Sequence, residues 1–514
     1  MNLYNRSSAG RSLLDTVAFR AISQAATVLS YVVLAHALAK EQFGVYSLLY
    51  AFIPVFSTLA SLGLEQMLRR YQPEMLQSGR NRTAAWLLRR VSWARLATNL
   101  ALLALILLAW NYVAPQFNAG PYRPAFMGFA LAILLHFQVR ILQLALSSHM
   151  LHRYSVGSVA LMSVIKLVAY VALSHFGSLD LHSAIIVDTG AYAAAYALLR
   201  WAHHRHAALP AGETTEAPVK AERARMYRYA LLNNFNDAGV LLMYSTLDTF
   251  FIAKFGDMVA VGIYGFFSRL NEMTANILPV RLLDNVVQPL LFATPRDEAA
   301  QRLPRYFTFL LNMNLLVQLP ILAYACAYHR EIAQLLSGGK FVADSWMLPL
   351  LLGFATLNVV ADPASMMAQY EERAGILLTS KLFALYNLLA MLVLVPLFGI
   401  YGAALASGSA QTFKNAFIWW HVRRHAVWTN ARAALLTMLL LWGGTVAVCV
   451  GVKSLLHTPA LLQLLFGALI VGAAMLLFMR SAALSASDRQ LVEAVASGRG
   501  AAALRWAGLV PRRA

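Results

Sequence analysis

The sequence contains few of the residues from which catalytic and metal centres are usually built. Its 514 residues include only two cysteines, Cys326 and Cys449. Both lie within apolar segments, so we expect packing roles for them rather than a disulfide framework or a metal cluster. The chain also lacks a GxxxxGKS/T phosphate loop, an HExxH pair and a GxSxG elbow. These absences argue against direct use of ATP, against a metal site and against the common hydrolase chemistries, and we expect no cofactor.

Charged residues are scarce as well. Only 13% of the residues are charged, 59% are hydrophobic and the mean hydropathy is positive. This composition is typical of an integral membrane protein, and apolar segments of about twenty residues are long enough to cross a bilayer as helices. The sequence therefore predicts an all-α polytopic membrane protein with about fourteen transmembrane helices. The predicted spans lie near 12–37, 44–67, 91–112, 124–147, 155–175, 182–200, 228–253, 259–291, 306–327, 346–367, 376–396, 400–420, 433–454 and 460–479.

Acidic residues are outnumbered by basic ones, 23 to 42, which gives a formal net charge of +19. On a soluble protein this excess would suggest binding to nucleic acid. Here the inward-facing connections and tails hold about 29 lysines and arginines and the outward-facing connections about 6, which is the asymmetry of the positive-inside rule. The sequence therefore predicts that both termini are cytoplasmic, and the net charge needs no nucleic-acid partner.

A long polar connection separates six spans from the remaining eight. Proline, glycine, threonine and mixed charges in this connection predict a solvated cytoplasmic linker. The GVY motif at 44–46 and the GIY motif at 262–264 each open a helix that follows a polar helix and a short turn. This correspondence indicates a repeat of six spans. The predicted divisions are an N-lobe at 1–201, a linker at 202–227, a C-lobe at 228–422, two additional spans at 423–480 and a basic cytoplasmic tail at 481–514.

Four predicted spans carry polar side chains at helical spacing, which places each set on one face of its helix. The sets are Arg20, Gln24, Thr27 and Tyr31; His136, Arg140, Gln143 and Ser147; Asn233, Asp237, Tyr244 and Asp248; and Asn358, Asp362, Ser365 and Gln369. Lipid cannot hydrogen-bond such faces, so they must contact each other or water. We therefore predict a hydrated central cavity.

The eighth predicted span contains two pairs of opposite charge. Arg269 with Glu272, and Arg281 with Asp284, are spaced i, i+3 and can neutralise each other along one helix. For Arg269, binding of a ligand is as good an interpretation as pairing with Glu272.

Three further acidic and basic positions lie in or beside predicted spans. Lys166 and Asp188 have no obvious partner on their own helices, so they either pair across helices or leave Asp188 to titrate as a coupling-ion site. Glu65 is expected to form a boundary salt bridge with Arg69 and Arg70.

Three segments of the chain resemble the polysaccharide flippases (Wzx-like) of the multidrug, oligosaccharidyl-lipid and polysaccharide exporter superfamily. They are GVYSLLYAFIPVFSTLASLGLEQMLRRYQPE, VGIYGFFSRLNEMTANILPVRLLDNVVQPLLF and VPLFGIYGAALASGSA. The resemblance implies two six-helix lobes that form a V around a central cavity, with two additional C-terminal helices.

The resemblance also implies a function without covalent catalysis. Such a protein moves an undecaprenyl-diphosphate-linked oligosaccharide, the repeat unit of an O-antigen, exopolysaccharide or capsule, from the cytoplasmic to the periplasmic leaflet of the bacterial inner membrane. Glycosyltransferases and a polymerase of the same pathway are then expected partners besides membrane lipid. The alternatives are a lipid II flippase and a cation-coupled drug or metabolite exporter of the same superfamily. A membrane polymerase or glycosyltransferase is disfavoured because the largest predicted outward loop is short.

Candidate site residues follow from the resemblance and from the polar faces. The resemblance implies that Arg20 and Arg269 bind the diphosphate, and the spacing argument adds Arg140, because guanidinium groups form charge-assisted, often bidentate bonds to phosphates. Binding of the neutral sugars is assigned to Gln24, Asn233 and Asn358. Proton or sodium coupling is assigned to three candidates, Asp237, Asp248 and Asp188. For Asp237 and Asp248 a structural pairing with Arg20 across the cavity is an equal alternative.

Overall fold

The computed structural model describes residues 6–209, 213–241, 245–275, 278, 298–424, 426–428, 431–455 and 458–480, and helices make up almost all of this part of the chain. The predicted all-α class is confirmed. The helices of the first half are α1 (Arg6–Ala37), α2 (Lys40–Leu59), α3 (Leu64–Gln77), α4 (Asn81–Leu108), α5 (Trp110–Val113), α6 (Arg123–Ser148), α7 (His152–His175), α8 (Leu181–His206), α9 (Lys220–Leu241), α10 (Ser245–Phe255) and α11 (Met258–Ala275).

The remaining helices follow in the second half. They are α12 (Ala299–Ser337), α13 (Met347–Leu357), α14 (Ala361–Tyr370), α15 (Ala374–Thr379), α16 (Phe383–Val422), α17 (Ala431–Leu455) and α18 (Ala460–Arg480). Short 3₁₀ turns lie at Ala114–Phe117, Gly120–Tyr122, Asn358–Val360 and Ser380–Leu382. The predicted tail at 481–514 lies outside the described residues.

Local sequence signals explain several helix ends. Asp180 begins α8 with a capping box, in which its carboxylate accepts a hydrogen bond from the backbone N–H of Ser183 while the Ser183 hydroxyl accepts one from the backbone N–H of Asp180. Such reciprocal bonds satisfy donors that a helix N-terminus otherwise leaves unpaired. At the other end of a helix, Gly338 closes α12 in the left-handed region, at φ 61°, where a glycine has no side-chain clash.

Nine helical segments in the described part of the chain are long and apolar enough to cross a membrane, by length and composition. The predicted number of about fourteen is not confirmed by this criterion. One of the nine segments, Gly375–Val422, includes two predicted spans, 376–396 and 400–420. The backbone leaves helical geometry at Gly399, and the hydroxyl groups of Tyr386 and Ser409 lie 3.2 Å apart. Residues 23 positions apart would be about 35 Å apart in a continuous helix, so α16 is a hairpin of two antiparallel helices.

The chain divides into two compact units, Met1–Gly262 and Ile263–Ala514. In the first unit, α1 packs on α7, α8 packs on α6 and α7, and α3 lies against α4, α6 and α9. In the second, α12 packs against α13, α17 and α18. The lobe boundaries given above stay a prediction. In the structure, α9 and α10 pack against α2 and α3 as part of the first unit.

Glycines at corresponding positions of the predicted repeat lie directly against each other. A Cβ atom built on Gly44 would lie 1.7 Å from the backbone oxygen of Met258 and 3.2 Å from the backbone nitrogen of Gly262. A Cβ on Gly262 would lie 2.9 Å from the backbone oxygen of Lys40. Only glycine permits this approach, and small residues at helix contacts are characteristic of membrane proteins because their packing relies on close backbone approach. The first residues of the two motifs, Gly44 and Gly262, therefore mark one close backbone contact within the first unit.

We predict that Gly44→Ala destabilises the first unit by about 1–3 kcal/mol, because the added methyl group must push a backbone carbonyl away. The matched control is Gly190→Ala, since a Cβ at Gly190 meets nothing within 4 Å. Thermal unfolding of both purified variants should show a lower midpoint for Gly44→Ala only. Equal midpoints would show that this contact does not limit stability.

Ion pairs attach the linker to the turn between α3 and α4 and to the first turn of α4. Arg80 donates two hydrogen bonds of 2.9 Å to the Glu222 carboxylate, and Arg82 donates one of 3.2 Å to Glu213. The hydrogen bond from Arg80 lowers the pKa of Glu222 below its ordinary value of 4.5. Both pairs are partly exposed, so each contributes little alone, but together they fix the start of α9.

The lowered pKa of Glu222 predicts a pH-dependent attachment. A carboxylate with a depressed folded pKa contributes its stabilisation above its unfolded pKa and loses it as the pH falls through the folded pKa. A spin label at Ala221 should therefore be restrained at neutral pH and become mobile as the pH falls below 4.5. In Glu222→Gln the label should already be more mobile at neutral pH, although the Arg82–Glu213 pair still restrains it in part. Equal restraint of the label in both proteins at neutral pH would contradict a role for this pair.

Candidate functional site

A buried ion pair joins α7 to α8 within the first unit. Lys166 Nζ lies 2.7 Å from Asp188 Oδ1, and the Asp188 side chain is fully buried whereas 17% of the Lys166 side chain is exposed. The cross-helix partnership considered from the sequence is therefore present. Because an unpaired charge is costly inside a membrane protein, each of these two residues depends on the other.

Three tyrosines complete the hydrogen bonding of Asp188. Tyr46 and Tyr50 donate to Oδ2 at 2.9 and 2.8 Å, and Tyr170 donates to Oδ1 at 2.7 Å. Lys166 donates to the Tyr50 hydroxyl at 2.9 Å. Both carboxylate oxygens of Asp188 on α8 are thus occupied by donors from α2 and α7, which is the condition under which a buried charge is tolerated.

A second group of charges joins α3, α4 and α6. Arg140 Nε donates to Glu65 Oε2 at 2.8 Å, and Arg95 Nη2 lies 3.5 Å from Glu65 Oε1. The predicted pairing of Glu65 with Arg69 and Arg70 is wrong: Glu65 is held by α4 and α6, and Arg70 pairs with Glu74 at 2.7 Å.

The position of Glu65 follows from a break between α2 and α3. Gly63 has a positive φ of 71°, and a Cβ on it would lie 1.8 Å from the backbone oxygen of Ala230 on α9. Its backbone N–H donates to Asn234 Oδ1 at 3.2 Å. The chain therefore restarts as a separate helix, and Glu65 lies on the buried side of α3. A single continuous span at 44–67 does not describe this geometry.

Sequence reasoning missed Arg95. Its side chain is fully buried and its guanidinium carbon lies 4.1 Å from the centre of the Phe137 ring. Asn99, one turn further along α4, is also fully buried. The i, i+4 spacing of Arg95 and Asn99 within the predicted span 91–112 is the signal that could have identified them.

The polar face of α1 is partly described. Arg20 is exposed and Gln24 is half-buried. The hydroxyl of Thr27, on the same polar face, and that of Ser23 beside it each lie 3.1 Å from the hydroxyl of Ser163 on α7. These contacts fix α1 on α7 and leave Arg20 on the accessible side.

The remaining candidates in the first unit lie on α9 and α10. Asn233 donates to the backbone oxygen of Tyr229 at 2.9 Å, and the Asp248 side chain is buried. The side chain of Asp237 lies outside the described residues, as does Tyr244. Their assignments stay predictions.

Two candidates belong to the second unit. Arg269 donates to Glu272 at 3.0 Å, and both side chains are about half exposed, so the predicted i, i+3 pair is present. Asn358 donates to the backbone oxygen of Phe354 and accepts a hydrogen bond from Asn415 of α16. Arg281 and Asp284 lie outside the described residues.

No group of three or more histidine, cysteine, aspartate or glutamate side chains in the described part of the chain is arranged to hold a metal ion. The charged groups that the structure does bring together are ion pairs and hydrogen-bond networks.

We predict that Asp188→Asn destabilises the protein by about 3–5 kcal/mol, because Lys166 loses its counter-charge in a buried site. The double variant Asp188→Asn with Lys166→Met should recover part of the loss, since it removes the orphaned cation. Glu74→Gln, in an exposed i, i+4 pair, should change stability by no more than about 0.5 kcal/mol. Thermal unfolding of the three proteins tests this order, and a double variant no more stable than Asp188→Asn would contradict it.

The fold is shared with solved membrane transporters. A structure of the lipid II flippase MurJ in an inward closed conformation superposes with a TM-score of 0.59 at 12% identity, covering 90% of this chain and 98% of that one. A multidrug resistance MATE family transporter of the MOP superfamily, in an inward-facing conformation, superposes with a TM-score of 0.62 at 13% identity, covering 80% of this chain and 98% of that one. Identities this low establish the fold alone.

Comparison with curated protein sequences gives no match. The model of one protein family, described as polysaccharide biosynthesis protein, matches residues 13–291. This match spans more than half of the chain and includes the first unit from residue 13, within α1, to its end. The chain therefore belongs to the polysaccharide biosynthesis protein family, and its fold is that of the two solved transporters.

Proposed function

We propose that this protein is a flippase for undecaprenyl-diphosphate-linked oligosaccharide. It carries the repeat unit of an O-antigen, exopolysaccharide or capsule from the cytoplasmic to the periplasmic leaflet of the bacterial inner membrane by alternating access. The proposal combines the family, which acts in polysaccharide biosynthesis, with the fold, which is that of a transporter. No covalent step is involved.

The observation that carries the proposal is an accessible arginine inside a membrane helix. The Arg140 side chain is 46% exposed on α6, a helix long and apolar enough to span the bilayer. A guanidinium group at that depth is stable only where water or a polar ligand reaches it. Arg20 on α1 is exposed as well. Accessible cations suit an anionic head group, and a diphosphate carries about two negative charges that guanidinium groups bind bidentately.

The cationic side chains also separate this function from export of organic cations. A cavity that selects cations should present carboxylates, whereas the carboxylate nearest to Arg140 is that of Glu65, which is already bound to it. Gln24, Asn233 and Asn358 are proposed to bind the sugars through hydroxyl hydrogen bonds. The polyprenyl chain remains in lipid.

Coupling to a proton or a sodium ion is assigned to Asp188, Asp237 or Asp248. Asp188 is the one whose surroundings are described in detail, and protonation there would remove the charge that holds Lys166 and the tyrosine hydroxyls. Such a change would loosen α2, α7 and α8 together, which is how a binding event resets a transporter. Glycosyltransferases supply the substrate and a polymerase consumes the product.

Substitution of the accessible arginines tests the proposal. Arg20→Ala and Arg269→Ala are expected to leave membrane insertion intact but to lower surface polysaccharide at least about tenfold, because each removes a charge-assisted phosphate contact. The measurement is immunoblotting of surface polysaccharide in cells that lack the chromosomal gene and express each variant. Arg70→Ala, which removes an exposed arginine paired with Glu74, is the matched control and should restore normal levels.

Two outcomes would contradict the proposal. Normal polysaccharide in both variants, at wild-type protein levels in the membrane, would show that these arginines do not bind the substrate. Lysis on depletion of the protein, with surface glycan unaffected, would instead identify lipid II as the cargo.

A further inference from the structure

Glu65, Arg95 and Arg140 form a charge group with one more positive than negative charge. The single carboxylate of Glu65 contacts both guanidinium groups, at 2.8 Å to Arg140 and 3.5 Å to Arg95. Two cations that share one carboxylate in a membrane protein are incompletely neutralised. The group therefore has the capacity to bind an additional anion.

The two arginines differ in their access to solvent. The Arg95 side chain is 0% exposed, whereas that of Arg140 is 46% exposed. Arg95 is also fixed by the ring of Phe137 beneath its guanidinium. Only Arg140 can therefore reach a ligand, and Arg95 lies behind Glu65 as a buried cation.

Arg95 has unused hydrogen-bond donors. Among the described residues, its Nε, Nη1 and Nη2 atoms have no hydrogen-bond partner, and neither does Glu65 Oε1, the oxygen that faces it. Buried donors of this kind are rare in native proteins because leaving them unmade is costly. Shortening the 3.5 Å contact to the usual 2.7–2.9 Å of a charged N–H···O bond needs a shift below about 1 Å. Glu65 can thus transfer to Arg95 without large movement.

We infer that Glu65 exchanges between the two arginines when the substrate binds. On the proposed function, a phosphate of the lipid-linked substrate displaces the Glu65 carboxylate from Arg140, and Glu65 closes onto Arg95, so that no charge is left unpaired. In the free protein Glu65 occupies the place of the phosphate on Arg140 and keeps its guanidinium oriented. The ligand chemistry is that of a phosphate or diphosphate ester.

The depth of Arg140 fits this ligand. It lies eight residues before Ser148 at the end of α6, or about 12 Å along the helix axis. On the predicted topology this is the cytoplasmic end, where a lipid-linked diphosphate enters from the inner leaflet. A diphosphate also presents more oxygen acceptors to a guanidinium than a carboxylate does, so it can compete with Glu65.

Opposite effects of two substitutions on binding test the exchange. Arg140→Gln should weaken binding of undecaprenyl diphosphate to the purified full-length protein in nanodiscs by about tenfold or more, because a charge-assisted contact is lost. Glu65→Gln should tighten it, because the competing carboxylate is removed. Binding of undecaprenol, which has the same chain without phosphate, should be unchanged in both. Arg70→Gln serves as the surface control.

A purely structural salt bridge gives a different result, since loss of either partner would then weaken binding or leave it unchanged. Either pattern overturns the exchange. If Glu65→Gln does not fold, Glu65→Asp replaces it: the shorter side chain holds Arg140 less well and should also tighten binding. Arg140→Gln leaves Glu65 and Arg95 as a neutral pair and should fold.

Inorganic diphosphate separates this inference from the proposed function. Suppose that Arg140→Gln weakens and Glu65→Gln tightens the binding of inorganic diphosphate, while the unmodified protein does not bind undecaprenyl diphosphate. This result would support the exchange and contradict the proposal that the substrate is lipid-linked. If the unmodified protein translocates the lipid-linked substrate but both variants bind it more weakly, the proposed function is supported and the exchange is contradicted.

Discussion

The cost of an unpaired charge within a lipid bilayer governs this structure. Neither hydrocarbon nor the helix backbone can satisfy an arginine or an aspartate at that depth, so each such side chain needs a polar partner, a ligand or water. Asp188 is bound by Lys166 and by tyrosines from α2 and α7, and Glu65 is bound from α4 and α6. Each of these groups therefore ties several helices of the first unit together.

Close backbone contact supplies the rest of the packing. Between helices in lipid the hydrophobic effect gives little drive to associate, so shape complementarity and interhelical hydrogen bonds matter more. Gly44 and Gly262 allow two helices to approach without intervening side chains, and Gly63 lets the chain restart against Ala230. The restart determines which way Glu65 faces. A local backbone constraint thus determines which arginines can be neutralised.

The two ion-pair groups differ in their balance of charge and in their hydrogen bonding. Around Asp188 every carboxylate oxygen is occupied, and the group holds as many positive as negative charges. Around Glu65 there is an excess of positive charge, an arginine with unused donors and a second arginine exposed on α6. The first arrangement is a fully satisfied connection between helices. The second suits recognition of an anion, and both lie in the part of the chain that matches the family.

The sequence by itself determined the all-α membrane class, the family and the pairing of Arg269 with Glu272, because hydropathy, motifs and i, i+3 spacing are local properties. Only the tertiary structure decided that Glu65 binds Arg140, 75 residues away, and that Tyr46 donates to Asp188, 142 residues away. The sequence shows that a buried charge needs a partner. Which side chain provides it depends on helix contacts and on the break before α3, and no local pattern encodes either.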